Sequence, residues 1–164
     1  MITPISIFDF TTDSNLSQWT VLDDVVMGGR SSSKIYVNSE GHGVFEGHVS
    51  LENNGGFASV RYQSELMEVG QFSKCVIRLR GDGENYQFRI KSKEQDSHSY
   101  IAKFKTTGEW QTLEINMDEM TPWFRGRRLD IPNYPGNTIA SISFLIGNKK
   151  AEDFKLEIDR IELR

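Results

Sequence analysis

One cysteine, Cys75, is all the chain has in 164 residues, so no internal disulfide can form and packing must hold the fold. That usage is compatible with a reducing compartment. No window approaches the roughly 18 apolar residues that span a bilayer. The opening Met1–Phe10 segment has no basic region, no uninterrupted apolar stretch and no Arg-rich transit pattern. The expectation is a cytoplasmic protein without membrane insertion. The three histidines, His42, His48 and His98, are scattered without metal-ligand spacing, and Cys75 falls on an inward strand parity. Neither a metal site nor a cofactor is expected. A Gly-x-Ser-x-Gly elbow, a P-loop and a dinucleotide fingerprint are all missing, so no catalytic residue is assigned and the chain reads as a non-enzyme. A glycosidase-type carboxylate pair meets in space rather than in order, and among 23 acidic residues the sequence picks out no two. Excess positive charge is lacking too: net charge is −4 and the pI about 5.4, which argues against a nucleic-acid partner.

What is present is a globular balance of 37% apolar and 26% charged residues, enough for one domain over residues 1–164. Period-2 alternation dominates. Strands are expected at 5–10, 34–38, 43–51, 57–62, 73–80, 86–91, 98–105, 110–117, 139–147 and 154–163. Cys75, Ile77 and Leu79 point inward, with Arg78 and Arg80 outward. Tyr86, Phe88 and Ile90 alternate with Gln87, Arg89 and Lys91. In the last strand Phe154, Leu156 and Ile158 share one parity and Ile161 and Leu163 the other, so a β-bulge is expected near Asp159-Arg160. Gly81-Asp82-Gly83-Glu84 and Thr106-Thr107-Gly108-Glu109 read as hairpin turns. Short helical turns are allowed at 13–18, 64–69 and 118–120. Residues 121–137 hold three of the four prolines and read as one long crossover loop. About ten strands separated by turns make an all-β fold, a sandwich or jelly roll. Trp19, Trp110, Phe45, Leu79, Phe88, Ile142 and Phe144 are expected inside.

Two glycine-centred blocks carry the chemistry. The first is Asp23-Asp24-Val25-Val26-Met27-Gly28-Gly29-Arg30-Ser31; the second is Asn53-Asn54-Gly55-Gly56-Phe57-Ala58-Ser59-Val60-Arg61. Asp23 and Asp24 are adjacent, a poor geometry for shared acid–base work; they cap backbone before the glycines or contribute to an ion site. Gly28-Gly29-Arg30-Ser31 is either a tight turn or a nest of N–H groups for an anion. Asn53-Asn54-Gly55-Gly56 is either a type I′ hairpin loop or a pair of amides offered to a ligand. Arg78, Arg80, Arg89 and Lys91 form either a solvated charge row or a positive stripe on one hairpin, suited to an acidic partner. Trp123 beside Arg125-Gly126-Arg127-Arg128 either anchors the loop or forms an interaction hot spot.

These motifs resemble, in order, the complex I intermediate-associated protein 30 family. Trp19 with the first block resembles its opening motif. Phe45-Glu46-Gly47-His48-Val49-Ser50 with the second block, Gly81-Asp82-Gly83 with Tyr86-Gln87-Phe88-Arg89, Trp110, Pro122-Trp123-Phe124-Arg125-Gly126 and Phe154–Ile158 continue the likeness along nearly the whole chain. The resemblance implies a jelly-roll β-sandwich of the galactose-binding-like type. It implies a binding role like that of the mitochondrial members, which assist assembly of NADH:ubiquinone oxidoreductase, and it implies no catalysis. Without a transit peptide the chain looks like a stand-alone, prokaryotic-type member. The expected partner is a protein, a subunit of a respiratory or other redox complex; the alternative is a carbohydrate held by the sandwich loops. Asp23, Asp24, Arg30, Ser31, Asn53, Asn54, Arg61, Trp123 and Arg125 are the candidate binding residues.

Overall fold

Alternating apolar and polar residues over five to twelve positions make most of the chain into strands whose two faces differ in polarity. The computed structural model describes residues 3–24 and 29–164; Val25 to Gly28, within the first glycine block, lie outside the described residues. Among the described residues thirteen strands follow in order: β1 Ile5–Asp9, β2 Trp19–Val21, β3 Ser32–Val37, β4 Gly43–Val49, β5 Ala58–Glu68, β6 Lys74–Arg80, β7 Asn85–Lys91, β8 Ser99–Lys105, β9 Trp110–Asn116, β10 Thr121–Phe124, β11 Arg127–Arg128, β12 Thr138–Ile146 and β13 Glu152–Leu163. They form two antiparallel sheets. One has six strands in the order β3-β4-β13-β6-β9, with β1 also on β13; the other has seven in the order β11-β10-β8-β7-β12-β5-β2.

The inner faces pack as expected for a sandwich. Phe45, Leu79, Phe88, Ile142 and Phe144 are all in the core, and Trp19 packs edge-on against Phe8 and tilted against Phe10 and Tyr62. The expected bulge is present: the pairing of β13 with β6 shifts between Ile158 and Arg160. Its first half pairs with β4 and its second with β1, so the extra residue falls where the neighbour changes. Phe154, Leu156, Ile158, Ile161 and Leu163 are thereby all buried.

Several expectations are corrected. Gly81–Glu84 and Thr106–Glu109 are not hairpin turns, because β6 and β9 belong to the six-stranded sheet while β7 and β8 belong to the other. Both segments arch across the end of the sandwich, tied together by Thr106, whose hydroxyl accepts from Gly83 N–H at 3.0 Å and donates to Glu84 C=O at 2.8 Å. The second glycine block is likewise not a type I′ hairpin. It carries the chain from β4 in one sheet to β5 in the other, through a 3₁₀ turn at Glu52–Asn54 with Asn53 in the left-handed region at φ 55°. Turn chemistry specifies a reversal but not the strand that follows it. The helical turn allowed at 64–69 does not form: residues 64–68 continue β5, because β12 pairs along it as far as Thr138↔Glu68. The segment 121–137 is not wholly loop, since β10 and β11 form a ribbon on the sheet edge. The strand expected over 43–51 ends at Val49, and Leu51 is exposed beyond it. Trp110 is not in the core: it is half-buried on the outer face of the six-stranded sheet, with the His42 ring at 4.5 Å and the Arg78 guanidinium at 4.4 Å.

Candidate binding face

The two glycine blocks converge on Asp24. Its carboxylate accepts from Ser31 N–H at 2.9 Å, the Ser31 hydroxyl at 2.5 Å, Gly56 N–H at 2.7 Å and Phe57 N–H at 3.2 Å. Burial opposes its charge, but donors from Ser31, Gly56 and Phe57 together outweigh that and hold the pKa below the ordinary aspartate value. The glycines here are required by close approach. A Cβ on Gly29 would lie 2.4 Å from Asp24 Cγ, and one on Gly55 would lie 2.5 Å from Asp24 Oδ2. Asp23 accepts from the Ser33 hydroxyl at 2.7 Å and Ser59 N–H at 3.1 Å. Burial raises its pKa, helped by the Asp24 charge and opposed by the Ser33 and Ser59 donors. Asp23, Asp24 and Ser31 are all buried, with their polar atoms turned to internal partners. This agrees with the backbone-capping reading of the two carboxylates. No group of three or more metal-ligating side chains occurs among the described residues.

The other candidate residues are dispersed. Arg30 and Asn53 are exposed near the Asp24 junction; the side chain of Asn54 is outside what is described. Arg125 is exposed at φ 50° in the turn between β10 and β11, with its guanidinium 5.2 Å from the Phe124 ring. Trp123 is half-buried on β10; its indole N–H donates to Thr121 Oγ1 at 2.8 Å, and Lys103 Nζ lies 5.4 Å from the ring. Arg61 is on β5. Between β5 and β10 stand β12, β7 and β8, a separation of roughly 19 Å at the usual strand spacing. Arg61 and Trp123 therefore do not form one loop cluster. They do project from the same side of the seven-stranded sheet, because Trp123 is in register with Ser99 and both share the outward parity of Arg89 and Lys91.

That outer face is the feature the sequence reading missed. Arg61, Ser143 and Arg89 lie directly opposite one another across β5, β12 and β7. Ser141 lies opposite Lys91 in the next row of the same face, and Lys103 opposite Gln87. The strands of this sheet also carry Lys105, Arg127 and Arg128, against only Glu65 and Glu68 at the far end of β5. Among the described residues, which include every carboxylate side chain, no acidic group is within 4.0 Å of Arg61, Arg89, Lys91 or Lys103; the ion pairs of the protein lie elsewhere. The expected stripe of Arg78, Arg80, Arg89 and Lys91 is split between sheets. Arg78 pairs with Asp159 at 3.3 Å and Arg80 with Glu157 at 2.9 Å on the opposite side of the sandwich. The signal available in the sequence was the run of acid-free strands in β7, β8 and β12.

Residues 8–158 match the family described as complex I intermediate-associated protein 30. The mitochondrial complex I intermediate-associated protein 30 of Drosophila melanogaster is 25% identical over 182 residues, covering 96% of this chain and 62% of that protein. The chain thus spans less than two thirds of the length of that curated relative. Among solved structures, the family 11 carbohydrate-binding module of the cellulosomal cellulase Lic26A-Cel5E of Clostridium thermocellum superposes with a TM-score of 0.72 at 19% identity, covering 99% of this chain and 95% of the module. A Clostridium thermocellum family 11 module in complex with a β-1,3-1,4-mixed-linked tetrasaccharide gives a TM-score of 0.67 at 18% identity, over 98% of this chain and 94% of that one. Those likenesses establish the fold as a jelly-roll sandwich of the galactose-binding-like type. The chain belongs to the complex I intermediate-associated protein 30 family.

Proposed function

We propose that the chain is a non-catalytic binding module that docks onto an acidic surface of a protein partner, and that the partner is a complex I assembly intermediate, as the name of its relatives states for them. The observation that carries this reading is the outer face of the seven-stranded sheet. An acidic protein keeps Arg61, Arg89, Lys91 and Lys103 on one face without a carboxylate partner among the described residues. Such a face steers and orients an acidic surface, while folding derives no ion-pair energy from it. Arg125, Arg127 and Arg128 extend the same charge along the β10–β11 edge. The test is co-purification from cells that contain the enzyme, comparing wild type with Arg61→Glu/Lys91→Glu. Subunits of NADH:ubiquinone oxidoreductase enriched by wild type and lost by the folded variant support the reading. Equal enrichment by both moves the docking surface elsewhere.

A second reading, carbohydrate binding, is favoured by Trp123, whose ring is on the same face as the Ser99 hydroxyl in the adjacent strand. An aromatic ring beside polar groups is a platform for a sugar ring. Titration with a mixed-linked glucan tetrasaccharide, followed by Trp fluorescence, separates the two readings. A saturable change abolished by Trp123→Ala favours the sugar, and a flat titration removes it.

A further inference from the structure

The centre of the cationic face is also a cavity of about 160 Å³, lined by Arg61, Arg89, Lys91, Ser99, Ser141 and Ser143 among others. We propose that this cavity binds a phosphate group, either inorganic phosphate or the phosphate of a small monoester. The inference goes beyond partner docking, because the site is contained in this chain alone.

Charge makes the first argument. Arg61 and Arg89 flank Ser143 in one cross-strand row, and Lys91 is two residues beyond Arg89 on the same face of β7, opposite Ser141. Arg89 and Lys91 stand next to each other on one face of β7, where like charges repel, and no carboxylate among the described residues offsets them here. A dianion placed between them would.

Preorganisation makes the second. Arg89 Nε and Nη2 both donate to Gln87 Oε1, at 3.0 and 2.7 Å, which fixes the guanidinium plane and leaves Nη1 for a ligand. Arg89 is half-buried, and its desolvation weakens its hold on the proton, as expected for a cation set into a surface without a counter-ion.

Size and donor type make the third. The cavity is smaller than the ~300–1,000 Å³ usual for organic ligands, so it takes a compact group rather than a glycan segment. Serine hydroxyls around a guanidinium fork and an ammonium can donate to several oxygens at once. A phosphate monoester carries about −1.5 to −2 charges and three acceptor oxygens, whereas a carboxylate offers one charge and two oxygens.

The test is calorimetric titration of the intact chain with inorganic phosphate, glycerol phosphate, acetate and a poly-glutamate peptide. Variants are Arg89→Met, Ser143→Ala and, on the opposite sheet, Lys34→Ala, each checked for folding by circular dichroism and urea midpoint. The expected result is saturable one-to-one binding of phosphate, at least tenfold weaker in Arg89→Met, several-fold weaker in Ser143→Ala and unchanged in Lys34→Ala. Glycerol phosphate binding as well as phosphate identifies an ester site; phosphate alone identifies a free-anion site, and both support the proposal. Ser143→Ala decides the matter if Arg89→Met does not fold. Acetate binding as tightly as phosphate, binding of the peptide alone, or phosphate binding indifferent to both variants overturns it. Binding of the peptide alone removes the phosphate site and leaves the docking reading standing, and phosphate binding is read without enzyme subunits, so the two readings fail separately.

Discussion

On the outer face of the six-stranded sheet, Arg80 meets Glu157 at 2.9 Å, Arg78 meets Asp159 at 3.3 Å and Lys34 meets Glu46 at 3.6 Å. On the outer face of the seven-stranded sheet, Arg61, Arg89 and Lys91 meet serines and glutamine instead. Both faces are polar, and both arise from the same alternation. They differ in where the acids are: β13 alone supplies Glu152, Asp153, Glu157, Asp159 and Glu162 to the first sheet, while β7, β8 and β12 supply none to the second. Ion pairs on the first face are spent within the fold. The cations of the second have no carboxylate partner among the described residues, and that asymmetry is the physical basis for the docking face proposed on one side of the sandwich.

The largest effect should come from the junction that holds the two sheets in place. Asp24→Ala removes the acceptor for four donors in a buried setting, and a loss of roughly 3–4 kcal/mol is expected in urea unfolding, with the partner face unchanged in the molecules that remain folded. Gly55→Ala drives a Cβ to 2.5 Å from Asp24 Oδ2 and should cost about 1–3 kcal/mol by the same measurement. The two faces themselves are compared by Arg80→Met and Arg61→Met. The first leaves the buried Glu157 carboxylate short of its guanidinium partner, and a loss of about 1–2 kcal/mol is expected. The second should change stability by less than about 0.5 kcal/mol. Equal losses from the two substitutions would erase the contrast.

Acid unfolding gives the smallest effect, with opposite signs for the two adjacent aspartates. Asp24, whose native pKa is lowered, adds stability above the unfolded value of about 3.9 that is lost as the pH falls through its native pKa. Asp23, whose native pKa is raised, does the reverse: stability rises as the pH falls from its native pKa toward about 3.9. Compared with wild type, Asp23→Asn should therefore lose more stability on acidification from pH 7 to about pH 4. An identical pH profile for the two proteins would contradict that assignment.

Strand faces were legible in the sequence because the period of two is local. The inward parities of Cys75, Ile77, Leu79, Tyr86, Phe88 and Ile90 and the bulge at Asp159 all follow from it. The sheet to which a strand belongs was not legible. Gly81-Asp82-Gly83 favours a tight reversal whether the chain pairs with the strand before it or arches over the core, and packing makes that choice. The same limit put Arg89 and Lys91 on one stripe with Arg78 and Arg80. Trp110 was misplaced for a different reason: it shares the outward parity of Thr112 and Glu114, and its apolar character was given more weight than the alternation. The glycine blocks marked a special place in the backbone. Their carboxylates and Ser31, however, are occupied by each other's loops, a relation between residues 24, 31, 50 and 56 that adjacency in sequence cannot show.

The most direct test of the central claim, that the outer face of the seven-stranded sheet is the working surface, is quantitative co-purification of NADH:ubiquinone oxidoreductase subunits with three forms of the chain: wild type, Arg61→Glu/Lys91→Glu and, on the opposite sheet, Lys34→Glu. The account predicts that wild type and Lys34→Glu recover the same subunits and that the double variant, folded by its urea midpoint, recovers at least tenfold less. Equal recovery by all three forms, or loss with Lys34→Glu alone, would contradict it.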